Sequence, residues 1–558
     1  MARLVGEAPV PTWRSFAVSA PWLVTRSNAF RPLALTGLAL TSIAGYAAFH
    51  PLAPAALVGQ TAPITLLTTA LWVPYALACW LLLACPAPLA RGWRRLEWAV
   101  LAGGALIFRA LLLPIPPLLS RDAYRYLWDA NLTAHGLSPY LHGPAWPGYD
   151  ALRDPRFYTR IPWSNVPTIY PPGAQFLYRL AYAIAPHNVW MIKGEMTILD
   201  LLACFALVAL LVRRRQDPRR AFIYLWAPLP IVEFALNGHV DAAAVALITA
   251  ALWANTTRFR GSRALVGILI AAATLVKLYP IALVLALGRR RDWGLAAALV
   301  ATLALGYAPY WHEGFAALGF LDTYLTQVHI NYGGALLALR WLGGLLNVNI
   351  IAVQAVGVAG AAASVAVVVW LRPRGSDSPL PPGEGLGVRS PDSPLLARSG
   401  AGGEDPFPSS VSSVVHPPPL RLGPLGAAAV LIVIWLAFSP HIFPWYAAAL
   451  LPFCAATLAV ARHVVAALAL GAWLLTGLLP LTYIAYVSDS YAWLYPAMYL
   501  VTAVLTLALI ARAWPRLAAW RASPWRASLP ALTARDARTS RSPLADQPRP
   551  DDVPTRRA

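Results

Sequence analysis

Two carboxylates seven residues apart, Asp122 and Asp129, lie in the stretch SRDAYRYLWDANLTAHGLSPY. If that stretch is helical, they stand two turns apart on one face with Arg125 between them. Asp122, preceded by Arg121, falls just past an apolar run, where a rigid helix end would hold it at a membrane boundary. That position suits a general base. The same spacing also makes an ordinary salt-bridged helix face. A second cluster, in FALNGHVDAA, sets Glu233, Asn237, His239 and Asp241 between two apolar runs. Ionisable groups at a membrane rim are costly and are functional candidates for that reason. A plain polar turn with Asp241 capping the next helix is the other reading. In SPHIFPWY, residues 439–446, His441 lies beside aromatic rings, as a ligand or as a satisfied interfacial histidine. Lysine is confined to Lys193 and Lys277, against forty-two arginines, a scarcity that a GC-rich genome would explain. Lys277, in LVKLYP with Tyr279 and Pro280, interrupts an apolar stretch. A buried ammonium there demands an anion, and a lipid phosphate would supply one.

The elements that must carry these groups follow from composition. Of 558 residues, 58% are hydrophobic and 12% charged, and the mean hydropathy is +0.56. A soluble chain of this length could not coat itself with so little charge. The bilayer is its solvent. Net charge +20 would suggest a nucleic-acid partner in a soluble protein, but the arginines cluster between apolar runs, where they act as orientation signals, so no nucleic acid is expected. The four cysteines, Cys79, Cys85, Cys204 and Cys454, lie within apolar runs and suggest neither disulfides nor a zinc site.

Apolar runs fall near 33–50, 63–88, 97–115, 195–212, 221–236 and 240–255, and again near 294–311, 346–370, 424–440, 444–461, 464–484 and 493–513. The expected fold is an all-α polytopic membrane protein of about twelve transmembrane helices, each of roughly 20 residues or somewhat fewer. With the N-terminus inside, the basic segments at Arg91, Arg213, Arg258 and Arg289 and the tail are all cytoplasmic, as the positive-inside rule requires. No cleavable signal peptide is expected, because the first thirty residues are polar, proline-bearing and basic. Two segments fit only if they do not cross: 171–186, and 264–288, which is read as a re-entrant hairpin bent at KLYP. The expected divisions are a cytoplasmic segment 1–32, a membrane domain 33–372, a disordered cytoplasmic linker 373–421, membrane helices 422–513 and a basic disordered tail 514–558. From Arg512 the tail holds ten arginines against four aspartates and could rest on anionic lipid.

Between the third and fourth spans lies the longest extracytoplasmic loop, 116–170, extended to 194 by the non-crossing segment. It is too rich in Trp and Tyr for a disordered connector, so interfacial helices folded on the membrane surface are expected. Eight of the ten histidines also fall outside in this topology, only His416 and His463 inside, which concentrates polar chemistry on that face.

The ordered set SRDAYRYLWDANLTAHGLSPY, IYPP, NGHVDA, LVKLYP and PWY resembles the GT-C glycosyltransferase superfamily, most closely glycosyltransferase family 87 and bacterial polyprenyl-phosphate mannosyltransferases. The resemblance covers roughly 97–311 and 424–461. It implies a polyprenyl-phosphate sugar donor, a glycan or lipid acceptor, inversion at the anomeric carbon, and mannose as the sugar. It also implies an acidic residue of the first large extracytoplasmic loop as base, matching Asp122, with Lys277 and His239 at the corresponding positions of LVKLYP and NGHVDA. Arg121, Arg125, Asp129, Tyr170, Asp241, Tyr279 and His441 are the expected substrate-binding residues. No cofactor is indicated, and a divalent cation stays open.

Chemical logic supports such a transfer. A phosphate leaves without needing a proton, so one base for the acceptor hydroxyl and positive groups around the phosphate suffice. A glycosidase would need two opposed carboxyls. The rival reading is a multi-span secondary transporter of a small solute or lipid-linked sugar. The linker, however, falls after about eight spans rather than six, and no repeat relates the two parts. A lipid-linked oligosaccharide ligase or polymerase would instead centre on arginine and histidine.

Overall fold

The computed structural model describes residues 29–84, 89–319, 321, 333–371, 422–458, 463–484 and 491–521. The linker 373–421, nearly all of the segment 1–32 and residues 522–558 of the tail lie outside the described residues. The chain divides into a unit Met1–Ile510 and a unit Ala511–Ala558, and the first carries everything below.

In hydrocarbon a backbone amide has no water to pair with, so a helix, which satisfies itself, is the natural element. The described residues are helical with no strand among them. Among them, seven helices are long and apolar enough to cross a membrane: Phe30–Leu57, Ala62–Leu83, Val189–Arg213, Trp293–Leu318, Ile350–Leu371, Ala466–Ile484 and Trp493–Ala511. Shorter apolar helices at Asp241–Asn255, Ser262–Val276, Gly334–Leu345 and Pro424–Phe438 fill out the bundle. Its centre is a run of consecutive neighbours, in which Val189–Arg213 packs on Asp241–Asn255, that on Ser262–Val276, and that on Trp293–Tyr307. Phe30–Ala47 packs on Arg91–Leu112 to one side, and Pro424–Phe438 packs on Leu283–Leu287 and Ile350–Leu371 on the other.

Buried ions tie these helices together. Arg109 Nε donates to Asp200 Oδ2 at 2.6 Å, a second guanidinium nitrogen donates to the Leu225 carbonyl at 2.9 Å, and the Tyr224 hydroxyl donates to Asp200 Oδ1 at 2.5 Å. Glu97 accepts from Arg31 Nε at 2.6 Å and from Arg219 at 2.9 Å. Removing one partner of such a pair would strand the other charge, at about 3–5 kcal/mol.

The loop after Arg91–Leu112 is folded. Its helix Asp122–Ala134 packs on Pro172–Ile184, which also touches Val189–Arg213 and Ser262–Val276. Pro172–Ile184 leaves Phe176, Leu180 and Ile184 exposed, an apolar stripe at four-residue spacing. Lys193 fixes the entry to this loop. Fully buried, its ammonium donates to the carbonyls of Leu112, Leu113 and Ile115, at and just past the C-terminal end of the preceding helix.

The segment 264–288 doubles back. Helix Ser262–Val276 ends where Lys277 turns extended, and Tyr279–Ala282 and Leu283–Leu287 follow. Arg263 then meets the far limb, donating to the Leu287 carbonyl at 2.9 Å and to Asp292 Oδ2 at 2.9 Å. Start and finish are therefore adjacent, and Lys277 stands at the bend.

Candidate active site

Three chain breaks meet at one end of the bundle. Asp122 opens the helix Asp122–Ala134, Asp241 opens Asp241–Asn255, and Lys277 closes Ser262–Val276. Helix N-termini favour carboxylates and C-termini favour cations, so the helix dipoles match these three charges. The antiparallel packing of Asp241–Asn255 on Ser262–Val276 brings Asp241 Oδ2 within 3.4 Å of Lys277 Nζ.

Tyr170, from the IYPP segment, joins Asp122 to Lys277. Its hydroxyl donates to Asp122 Oδ2 at 3.0 Å, and Lys277 Nζ lies 5.1 Å from the centre of its ring and 5.0 Å from that of Tyr446. Tyr140 donates its hydroxyl to the Tyr170 carbonyl at 2.9 Å, and Tyr126 stacks on Tyr178 beneath it at 4.3 Å. The aromatic walls exclude water yet leave the Asp122 side chain 18% exposed. Burial raises the Asp122 carboxyl above the ordinary carboxylate range, while Lys277 and the Tyr170 hydrogen bond pull it back. A carboxyl so poised is suited to take a proton near neutral pH.

His239 forms the far wall. Its Nδ1 lies 3.8 Å from Asp122 Oδ2 and its Nε2 3.4 Å from Glu233 Oε2. Trp445 stacks on the imidazole at 3.7 Å between centroids. Burial, with Lys277 nearby, holds the imidazole well below its usual pKa and therefore neutral. The turn that delivers it needs Gly238 at φ +76°, where a Cβ would meet Lys193 Cγ at 3.0 Å and Ala123 Cβ at 3.4 Å. Asn237 completes the turn, accepting from the Leu119 amide at 3.1 Å and donating to Glu233 Oε2 at 3.0 Å.

The other expected residues divide. Tyr279 stacks on Trp435 at 3.9 Å, and Trp435 in turn leans on Tyr446, which puts Tyr279 in the wall behind Lys277. Asp129 shares a helix with Asp122, but its oxygens are taken by Arg125 Nε at 2.9 Å, Thr168 Oγ1 at 2.6 Å and Gln175 Nε2 at 3.3 Å. Arg125 also donates to the Trp163 carbonyl at 3.0 Å. This pair ties the helix to the segment carrying Tyr170. Arg121 is exposed just ahead of Asp122. His441 is buried in its turn, its carbonyl accepting from Ser439 Oγ at 2.5 Å. The rings that reach the site from this turn are those of Trp445 and Tyr446. No group of three or more His, Cys, Asp or Glu among the described residues is arranged to hold a metal ion.

Comparison with known proteins bears on this arrangement. Residues 33–289 match the family model described as alpha-(1->6)-mannopyranosyltransferase, N-terminal domain. The match covers a little under half of the chain. It contains Asp122, Tyr170, His239, Asp241 and Lys277. A curated relative from Mycolicibacterium smegmatis, named "Probable alpha-(1->6)-mannopyranosyltransferase", is 32% identical over 155 residues, 27% of this chain and 24% of the relative. The matched stretch thus spans about a quarter of that relative's length. No solved structure matches the chain.

Tyr126, Tyr178, Trp435, Trp445 and Tyr483 also belong to the site, and their spacing gave no hint of it. Each is one aromatic among many at a membrane face, where rings are common for interfacial reasons alone. The one available signal was the run PWY.

Proposed function

We propose that this chain is a membrane mannosyltransferase that moves mannose from a polyprenyl-phosphate donor to a glycan or lipid acceptor at the extracytoplasmic face. The observation that carries the reading is the sharing of Tyr170 by Asp122 and Lys277. A base for the acceptor and a cation for the leaving phosphate flank one space, as transfer from a phosphate-linked sugar requires.

In the proposed step, Asp122 takes the proton of an acceptor hydroxyl as its oxygen bonds to the anomeric carbon. The bond from that carbon to the phosphate oxygen breaks, and the electron pair leaves on the polyprenyl phosphate beside Lys277. Attack opposite the leaving group inverts the anomeric centre. Asp241 holds Lys277 in place, and the neutral His239 walls the site beside Asp122. Arg121, exposed beside Asp122, is available to the phosphate. No resident metal enters this scheme, since Lys277 supplies the positive charge. One feature, helix length, supports a lipid donor. The helices Asp241–Asn255 and Ser262–Val276 have 15 residues each. At 1.5 Å per residue each is ~22 Å long, which sets the Asp241–Lys277 pair ~8 Å short of a full ~30 Å hydrocarbon span, below the headgroups and within reach of a lipid-borne phosphate drawn in from the interface. The arginine-rich connections at the opposite ends support an extracytoplasmic site and cytoplasmic termini. In that reading the segment 264–288 is a re-entrant hairpin.

Purified protein offered a panel of polyprenyl-phosphate sugars with a mannan-type acceptor tests the proposal. Mannose transfer from the mannosyl donor is expected. Asp122→Asn should lower turnover by ~10³-fold while donor binding persists. Full activity in that variant, or solute transport unaffected by it, would overturn the reading.

A further inference from the structure

We infer that Glu233 is a proton acceptor coupled to Asp122 through His239, so that the proton leaves the base during transfer. The inference rests on the transferase reading above and adds a residue to its chemistry.

Glu233 lies in a six-residue π-helix, Ile231–Leu236, inserted just before the His239 turn. A π-helix costs hydrogen-bond geometry and is met chiefly at functional sites. Here it sets the Glu233 carboxylate against His239 Nε2 at 3.4 Å while Nδ1 faces Asp122 at 3.8 Å. Among the described residues neither imidazole nitrogen has a hydrogen-bond partner, although the ring is fully buried. A buried imidazole within reach of Glu233 but misaligned with it, and a small shift from Asp122, is placed to bond either after a modest adjustment. Trp445 holds the ring plane, so the adjustment is confined to that plane. Burial raises the Glu233 carboxyl to about 8, against Asn237 Nδ2, which donates to it at 3.0 Å, and the Tyr483 hydroxyl, which donates to its two oxygens at 3.1 and 3.0 Å; the accepting anion is the form that prevails above that pH. The other charges facing the cluster are Asp241 and Lys277, which pair with each other.

The proton count closes. Neutral His239 with its hydrogen on Nε2 donates that hydrogen to Glu233 and accepts on Nδ1 the proton Asp122 has taken from the acceptor. Asp122 returns to an anion, His239 stays neutral and Glu233 becomes a neutral acid. The benefit is commitment. An acid left on Asp122 beside the new glycosidic oxygen would protonate it and reverse the transfer, by microscopic reversibility. After product exchange the proton retraces the path to water, or to the departing phosphate monoester, whose second pKa is ~6.

The experiment is a proton inventory of mannose transfer in mixtures of light and heavy water, for the full-length protein and for Glu233→Gln, His239→Gln and Tyr483→Phe. The wild type should give a curved inventory, from more than one proton in flight. Glu233→Gln, which keeps the hydrogen bonds of Asn237 and Tyr483 in reach, should give a straight line and ~10-fold lower kcat with donor affinity unchanged. His239→Gln should be straight as well. Tyr483→Phe keeps Glu233 and should stay curved, which guards against misfolding of the other two. A curved inventory in Glu233→Gln, or a straight one in the wild type, overturns the inference and leaves the transferase reading intact. Loss of the transferase reading would show instead as an active Asp122→Asn.

Discussion

The Tyr170 hydroxyl donates to Asp122 Oδ2 at 3.0 Å, and through this bond an aromatic segment 48 residues away favours the ionised form of the candidate base. Burial raises the Asp122 carboxyl, and Tyr170 and Lys277 oppose the rise. A carboxyl with a raised folded-state pKa stabilises the fold at low pH and loses that contribution as pH climbs through the folded value. The ionised, working form is therefore the less stable one. Activity should rise with pH along an acid limb that lies above the ordinary carboxylate range.

Tyr170→Phe removes one of the influences that oppose burial, beside Lys277 and Arg125, so the limb should move further up. At the foot of the wild-type limb kcat/KM should drop ~10-fold, the size expected of a lost hydrogen bond to a charge, with little change at high pH. Profiles of kcat/KM from pH 4 to 9 check this. A uniform loss at all pH values would mean that Tyr170 only packs.

Lys277 has a second partner in Asp241, whose side-chain oxygens have no hydrogen-bond partner of their own among the described residues. Lys277→Gln should lower kcat by ~10²–10³-fold and also reduce thermal stability, because it strands a buried carboxylate. Adding Asp241→Asn should recover the stability and not the turnover. Recovery of both would place Lys277 in the scaffold alone, and paired melting and rate measurements separate the outcomes.

Charge and spacing in the sequence picked out Asp122, His239, Asp241 and Lys277 because each interrupts an apolar context at a helix end, and the structure brings these four together. The bend at KLYP was legible for the same reason. The buried pair Arg109–Asp200 was not, since two charges inside separate apolar runs reveal a partnership only when the helices pack. Their geometry is that of a tie between helices. The number of crossings was legible only coarsely, because the helices lining the site are shorter than a full span.

Asp129 has the spacing of a catalytic partner and the contacts of a brace. Asp129→Asn should cost ~3 kcal/mol by stranding Arg125, while the folded fraction keeps kcat within ~10-fold. Denaturation in mild detergent, alongside rates normalised to folded protein, provides the check. An inactive enzyme with unaltered stability would give Asp129 a direct part in the reaction.

Gly238 and Gly261 both have left-handed backbones, φ +76° and +89°, yet their surroundings differ. A Cβ on Gly261 meets open space, whereas on Gly238 it meets Lys193 Cγ at 3.0 Å. Alanine at Gly261 should therefore cost only the backbone strain, ~1–2 kcal/mol, with kcat unchanged. Alanine at Gly238 must also displace Lys193, whose ammonium caps the helix that ends before the Asp122 loop, and must shift the adjoining His239. It should lose more stability than Gly261→Ala, and kcat should fall with it. Equal losses in the two variants, with equal kcat, would mean that the Lys193 cap yields without disturbing the site.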